Sequence, residues 1–301
     1  MFHVKQSPQF ITLNSCPSCG GKSFSPHLTC LDYTYSKLEF NLVKCSACEL
    51  VFTNPRPIES ENWNYYKSAD YISHTNSTKG LIGFLYKIVR GINLKRKVRV
   101  LKKHNSGKEV LDIGCGIGFF PKAANQSGYH TRGVEPDLDA LKFAVENNKI
   151  EAYSLEKLNS FNREFDTVTM WHVLEHVYHL KDQLEIIKNL IKPGGLFVIA
   201  LPNYKSCDGQ FYGPQWAGYD VPRHLYHFEE GAIKSLINGF GFDLIDVQPM
   251  KFDAYYVSML SESHAGRSKI KGILNGWRSN RKAARKENPY SSQIYVFKNK
   301  Q

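Results

Sequence analysis

No run of apolar residues in this 301-residue sequence approaches the roughly 18 that a membrane-spanning helix needs, which argues against a helical span. The opening residues, Met1-Phe2-His3-Val4-Lys5-Gln6, lack the charged-then-apolar layout of a secretory signal. Together the two absences lead to the expectation of a cytoplasmic protein, bound to a membrane at most peripherally. No internal repeat and no long low-complexity tract interrupts the chain, so neither a repeat array nor a disordered tract has to be explained. Acidic residues are missing where basic ones gather. Residues 79–108 hold ten Lys/Arg and no Asp/Glu, and residues 251–301 hold eleven against three. The net charge is +11, so the remainder of the chain carries −7. Basicity this local points to a particular anionic partner, an acidic acceptor or an anionic membrane surface, against the plainer reading of solvated helix faces.

Seven cysteines are too few and too unevenly placed for a disulfide scaffold. Four of them form the pairs Cys16-Pro17-Ser18-Cys19 and Cys45-Ser46-Ala47-Cys48, while Cys30, Cys115 and Cys207 stand alone. Each pair places two thiolates on one tight turn, and two such turns complete a tetrahedral four-sulfur site of the kind that holds Zn2+. With all four positions taken by protein, such a metal is structural. The spacing predicts a zinc-ribbon module over residues 1–60, then a tyrosine-rich helical neck over 61–108. Within the neck, Leu81, Phe84, Leu85, Ile88, Ile92, Val98 and Leu101 recur at helical spacing, which predicts an amphipathic helix with a basic outer face.

From residue 109 onward, strand and helix signals alternate. Val110–Ile113, Thr131–Glu135, Asp166–Trp171 and Leu196–Leu201 read as strands. Phe119–Gln126, a helix capped by Asp137, and Leu180–Ile191 read as helices. That alternation predicts a doubly wound α/β domain over 109–301 with a mostly parallel sheet. Phe242–Val247 and Gln293–Phe297 are expected to supply the last two strands. Two segments interrupt the pattern: a candidate substrate loop at 203–230 and a basic helical insertion at 251–291, in which Ile270, Ile273, Leu274 and Trp277 alternate with Arg and Lys.

The stretch Asp112-Ile113-Gly114-Cys115-Gly116-Ile117-Gly118 lacks the third glycine of a dinucleotide fingerprint, because position 119 is Phe119. No Lys-Ser/Thr follows, so it is not a phosphate-gripping loop either. The sequence resembles the class I S-adenosylmethionine-dependent methyltransferases here, and the resemblance continues through Gly133-Val134-Glu135-Pro136, Trp171-His172-Val173-Leu174-Glu175-His176 and Leu190-Ile191-Lys192-Pro193-Gly194-Gly195. It implies a seven-stranded Rossmann-like sheet whose final strand returns antiparallel, with S-adenosyl-L-methionine as cofactor. Asp112, Gly114, Cys115, Gly116, Gly118, Glu135, Trp171 and His172 are the candidate cofactor residues. Asp112 would orient the ammonium group and Glu135 would accept the ribose hydroxyls.

His172-Val173-Leu174-Glu175-His176 also spells an inverted zinc-protease motif. That chemistry needs one continuous helix, whereas here a strand leads directly into the motif. Glu175 and His176 are read instead as bordering an acceptor. The segment Trp216-Ala217-Gly218-Tyr219-Asp220-Val221-Pro222-Arg223-His224-Leu225-Tyr226-His227-Phe228 is similar to one in bacterial quinone-methylase-like and glycan-cluster methyltransferases, as are the cysteine module and Val51-Phe52-Thr53-Asn54-Pro55. Certain sugar C-methyltransferases with a zinc module begin in the same way but continue into a further domain, and the resemblance to them ends there. Trp216, Tyr219 and Arg223 are candidate substrate residues, and His224, His227 and His172 are candidate catalytic bases for O-methylation. The acceptor expected is a small or lipid-linked molecule, a glycan or a quinol. Two rival readings are an RNA methyltransferase gripping through the zinc module and basic patches, and a silent cofactor-binding scaffold. The first lacks a recognisable RNA-binding module, and the second is opposed by the intact glycine loop and Glu135.

Overall fold

In the N-terminal residues, apolar and polar side chains alternate with the two-residue period of a half-buried strand. Phe40 and Leu42 turn inward on the strand Glu39–Cys45 while Asn41 faces out. The structure, a computed structural model, describes residues 9–66, 81–104 and 107–300, with the backbone alone for 81–86. The linker expected up to Lys79 lies outside the described residues beyond Tyr66, and so do the first eight residues and the side chains of Leu81, Phe84 and Leu85.

Strands β1 (Phe10–Ile11), β2 (Phe24–Leu31), β3 (Glu39–Cys45), β4 (Val51–Thr53) and β5 (Arg56–Pro57) come first. β2, β3 and β4 pair antiparallel, and β1 pairs with β5. The helix Leu81–Lys103 precedes the alternating region, which contains β6 (Glu109–Ile113), β7 (His130–Val134), β8 (Glu151–Tyr153), β9 (Phe165–Trp171) and β10 (Ile191–Pro202). Its helices are Phe119–Asn125, Leu138–Glu146 and Leu180–Leu190. Asp137 caps the second of these by accepting from the Ala140 N–H at 2.7 Å. β11 (Tyr226–His227), β12 (Phe242–Pro249) and β13 (Ser292–Asn299) complete the strands. The seven-stranded sheet has the order β12-β13-β10-β9-β6-β7-β8. Pairings from β8 across to β10 are parallel, and β13 is antiparallel to both its neighbours, which gives the Rossmann-like methyltransferase fold expected. Its central parallel strands bury Val110, Leu111, Val198 and Ala200, since covered parallel strands have no solvent face.

The chain divides into two compact units. One comprises Met1–Ser77, Asn203–Ala232 and Ala254–Ser291, and the other Thr78–Pro202, Ile233–Asp253 and Ser292–Gln301. The expected boundaries differ, because they assigned the loop and the insertion to the sheet domain. The reason is partly visible in β11. Those two residues pair antiparallel with β4, joining Tyr226 to Phe52 and His227 to Val51, so the late loop completes the N-terminal sheet. Two residues of strand carry no periodicity to read, and β8 is missed on similar grounds: three residues at a sheet edge, none of them fully buried.

Two helical expectations change. In Leu81–Lys103, Ile88 and Ile92 are exposed, while Val98, Val100 and Leu101 join the sheet's core with Leu94 packed against it, and Arg90 lies over the Phe119 ring. The insertion forms two helices, Lys251–His264 and Lys269–Ala284. The second buries Gly272, Gly276, Ser279 and Ala283, not its large apolar residues. A Cβ on Gly272 would lie 2.5 Å from the Met259 Cα, and one on Gly276 would lie 2.7 Å from the Tyr255 Cα. Close backbone approach therefore requires glycine at both positions. Gly272→Leu is expected to destabilise the protein by about 1–3 kcal/mol through overpacking. Gly91→Ala, a helical glycine with nothing within 4 Å of its added carbon, should be neutral or stabilising. Urea midpoints of the two variants check this contrast.

Candidate active site

At the C-terminal tip of β6 the backbone enters the left-handed region three times, with φ of 72° at Gly114, 54° at Gly116 and 82° at Gly118. Glycine reaches that region without steric cost. At Gly114 and Gly118 the neighbours also demand it: an added Cβ would meet Val173 Cγ2 at 2.5 Å or Ile150 Cγ1 at 2.9 Å. Gly116 differs, because its Cβ would meet nothing within 4 Å. The backbone there faces open space, the condition under which a ligand can lie directly on it. Cys115 is buried, and a Cβ on Gly133 would come within 2.6 Å of its sulfur, so the thiol is tucked against β7.

Glu135 follows β7 immediately and is buried. Its carboxylate accepts the Gly116 N–H at 2.7 Å and the Asp137 N–H at 3.0 Å. Burial raises its pKa above the usual carboxylate range against the pull of those two N–H groups. Asp112, also buried, accepts from the Thr169 hydroxyl at 2.6 Å. Burial pushes it up to about 7, although Thr169 and Lys97 favour the anion. Lys97 was not singled out from the sequence. Its ammonium lies 4.5 Å from the Trp171 ring centroid, and burial brings it down to about 8 while Asp112 and Asp253 act the other way. A lysine among ten basic residues in one segment gave no signal of its own; only the fold separates it from its neighbours.

Trp171 ends β9 and meets Phe120 edge-on. His172 follows at φ 58°, where its N–H donates to the Ala200 carbonyl at 3.0 Å. Its Nε2 is 3.1 Å from Asp253 Oδ2 and its Nδ1 is 3.4 Å from Glu175 Oε1. Burial opposes a charge on the ring, but the two carboxylates prevail and raise it to about 9. At neutral pH His172 is therefore an imidazolium that orients carboxylates, not a group ready to accept a proton. Leu174–His176 is a single 3-10 turn after a strand, so the protease-like motif never lies on a continuous helix.

The remaining candidates belong to the other unit. Arg223 is fully buried, and its Nε, Nη1 and Nη2 donate to Asp220, Asp32, the Tyr65 carbonyl and the Thr34 hydroxyl. These bonds tie its own unit together, in contrast to the acceptor-binding role expected of it. Trp216 donates its indole N–H to Asp208 at 2.9 Å, and Tyr219 packs edge-on against Trp216 and His227. The Thr53 hydroxyl donates its hydrogen to the His224 carbonyl, so His227 Nε2, 3.2 Å from Thr53 Oγ1, must donate to that hydroxyl oxygen. Burial then holds His227 neutral, with its pKa well below the ordinary value. His224 places Nδ1 3.0 Å from the Gly218 carbonyl, which requires a hydrogen on Nδ1, and its Nε2 lies 4.0 Å from Asp220 Oδ2.

The four paired cysteines also converge. Cys16 and Cys48 sulfurs lie 3.5 Å apart, Cys19 and Cys45 sulfurs 3.6 Å, and all four within 4.8 Å of one another. These separations far exceed a disulfide bond of about 2.05 Å. They match the roughly 3.8 Å between sulfurs arranged tetrahedrally around zinc at about 2.3 Å. Gly21 lines the cluster, and a Cβ there would press on the Cys19 and Cys45 sulfurs at 3.3 and 3.4 Å. The donor set fits a closed four-thiolate metal site.

A family described as a methyltransferase domain matches residues 87–247, more than half of the chain. The chain belongs to the methyltransferase domain family. Among curated methyltransferases, the ubiquinone biosynthesis O-methyltransferase of Rickettsia bellii is 29% identical over 157 residues, covering 48% of this chain and 65% of the relative. The enzyme of the same description from Paraburkholderia phytofirmans is 34% identical over 137 residues, covering 42% and 58%. The chain thus spans less than two thirds of the length of these relatives. Of solved structures, phosphoethanolamine N-methyltransferase 2 of Haemonchus contortus in complex with S-adenosyl-L-methionine aligns with a TM-score of 0.54 at 17% identity, covering 93% of this chain and 69% of that one. Magnesium protoporphyrin IX methyltransferase of Synechocystis aligns with 0.53 at 13% identity, covering 78% and 97%. They share the methyltransferase fold with this chain.

The His172 arrangement has a pH signature. Its raised pKa contributes stability that is fully present below about 6.5 and lost as pH rises through about 9. Asp253→Asn should bring the His172 titration, followed by NMR, back toward the ordinary histidine range and flatten stability between those pH values.

Proposed function

We propose that the chain is an S-adenosylmethionine-dependent methyltransferase that methylates an oxygen of a small, quinol-like acceptor. The open left-handed turn at Gly116, held to Glu135 at the tip of the neighbouring strand, carries the cofactor reading. It combines bare backbone for close approach with a buried carboxylate suited to ribose hydroxyls. Asp112 and Lys97 offer one anionic and one cationic group beside Trp171, a pairing suited to the amino-acid end of the cofactor. When bound, S-adenosylmethionine supplies an electrophilic methyl group. Positioning of the acceptor provides most of the acceleration, and a base removes its proton. His224, its ring held by the Nδ1–H bond to the Gly218 carbonyl, is our candidate for that base. The oxygen acceptor is supported by the names of the curated relatives, which are O-methyltransferases of ubiquinone biosynthesis.

Glu135→Ala and Gly116→Val are each expected to weaken S-adenosylmethionine binding at least roughly tenfold in calorimetry, with circular dichroism unchanged. Wild-type affinity in either variant would remove the cofactor assignment. Methyl transfer from labelled S-adenosylmethionine to an alkyl catechol tests the acceptor. His224→Gln should lower the turnover rate by about 100-fold or more while leaving cofactor affinity intact.

We also propose that Cys16, Cys19, Cys45 and Cys48 hold one structural zinc. Elemental analysis of protein purified without chelator should find one zinc per chain. Cys45→Ser should release it and lower the melting temperature, because metal binding and folding of so small a module are coupled.

A further inference from the structure

The helix Lys269–Ala284 is inverted relative to an ordinary surface helix. Its small residues Gly272, Gly276, Ser279 and Ala283 face inward. On the opposite side, at spacings of three and four, Ile270 is 71% exposed, Ile273 48%, Leu274 60% and Trp277 50%. Phe211, 60% exposed, adds a fifth large apolar side chain, which shares a cleft of about 420 Å³ with Leu274 and Trp277. Exposed single apolar residues need no explanation, but a contiguous stripe opposite a tightly packed face does. The helix contains no acidic residue, and Lys271, Arg278, Arg281 and Lys282 stand around the stripe. Arg281 lies over the Trp277 ring at 5.2 Å from its centroid. Arg267, at the inner edge of the cleft, is engaged by Glu262 at 2.7 Å and anchors the approach to the helix.

We propose that this face is a docking surface for an anionic lipid bilayer, with Ile270, Ile273, Leu274 and Trp277 entering the interface and the flanking cations meeting lipid phosphates. Charge complementarity selects that occupant. A second copy meeting the same face about a two-fold axis would bring two uniformly basic helices together, which costs energy where apolar burial should gain it. Nucleic acid would satisfy the cations but leave three branched aliphatic side chains against phosphates and water. A bilayer surface satisfies both: apolar side chains sink to the level of the acyl boundary while Lys and Arg remain among headgroups. This inference goes beyond the methyltransferase reading and does not depend on it.

The test is flotation of the full chain with vesicles of phosphatidylglycerol and phosphatidylcholine in a roughly 3:7 ratio, against vesicles of phosphatidylcholine alone. The wild type should favour the anionic vesicles by at least roughly tenfold, less so as salt rises. Leu274→Ser combined with Trp277→Ser should weaken that binding about tenfold at unchanged charge. Lys271→Glu combined with Arg278→Glu should weaken it further and flatten the salt dependence. All four side chains are exposed, so melting temperatures should stay at the wild-type value and confirm folding. Three outcomes would each overturn the proposal. One is no preference for anionic vesicles. Another is binding indifferent to the apolar pair, which would reduce the face to solvated charge. The third is a concentration-dependent dimer, or retention of poly(U) RNA, that the Leu274 and Trp277 changes abolish.

Discussion

The contact between the Glu135 carboxylate and the Gly116 N–H is the constraint that ties the glycine turn after β6 to the end of β7. The loop after β6 takes a left-handed conformation three times, with the N–H groups of Gly114 and Cys115 both donating to the Val134 carbonyl and that of Gly118 to Cys115. Glu135 adds a further hydrogen bond from the adjacent strand and another to Asp137, the residue that caps the following helix. One side chain thus sets the loop, the end of β7 and the start of the next helix in common register. The cost is a carboxylate withdrawn from water, which its raised pKa records. A group that donates to the same oxygens would lessen that cost.

A similar economy operates in the other unit, with a different purpose. Arg223 spends every guanidinium nitrogen on Asp32, Asp220, Thr34 and a backbone carbonyl, and in doing so joins segments almost two hundred residues apart in sequence. Buried charges held this completely are costly to break: removal of one partner leaves the other uncompensated in the interior. Arg223 stands out in the sequence as a candidate substrate residue and His227 as a candidate base, because polar, basic and aromatic types cluster around them. The structure shows that those clusters satisfy one another.

The difference between what was legible and what was not follows from the range of the interactions. The strands of the parallel sheet, the glycine turn, Asp137 as a cap and the cysteine pairs are written in local spacing, and each appears where the spacing placed it. Glu135 is legible because its position relative to the glycine turn is set by one βαβ unit. Lys97 was not, since its distinction from neighbouring lysines is a long-range matter of which one faces Asp112 and Trp171. The regrouping of residues 203–232 and 254–291 was equally hidden, because a two-residue strand such as β11 has no period. The helix Lys269–Ala284 is instructive for another reason. Its apolar positions recur at helical spacing, as a core-facing stripe does, yet glycine and serine occupy the packed side. Periodicity reveals that a helix has two faces but not which of them the protein buries.

The pairing of β4 with β11 also imposes an order on synthesis. Val51, Phe52 and Thr53 are fully buried in the finished protein, yet their partners on β11 lie some 170 residues later. At translation rates of about 5–20 residues per second, that edge waits on the order of ten seconds or more for its complement. Throughout the interval β4 has β3 on one side but lacks its partner on the other, while the central sheet is still being made. The turn between Cys45 and Cys48, just before β4, hydrogen-bonds the Glu49 N–H to the Cys45 carbonyl and so orders the approach to this edge before the rest of its unit emerges from the ribosome.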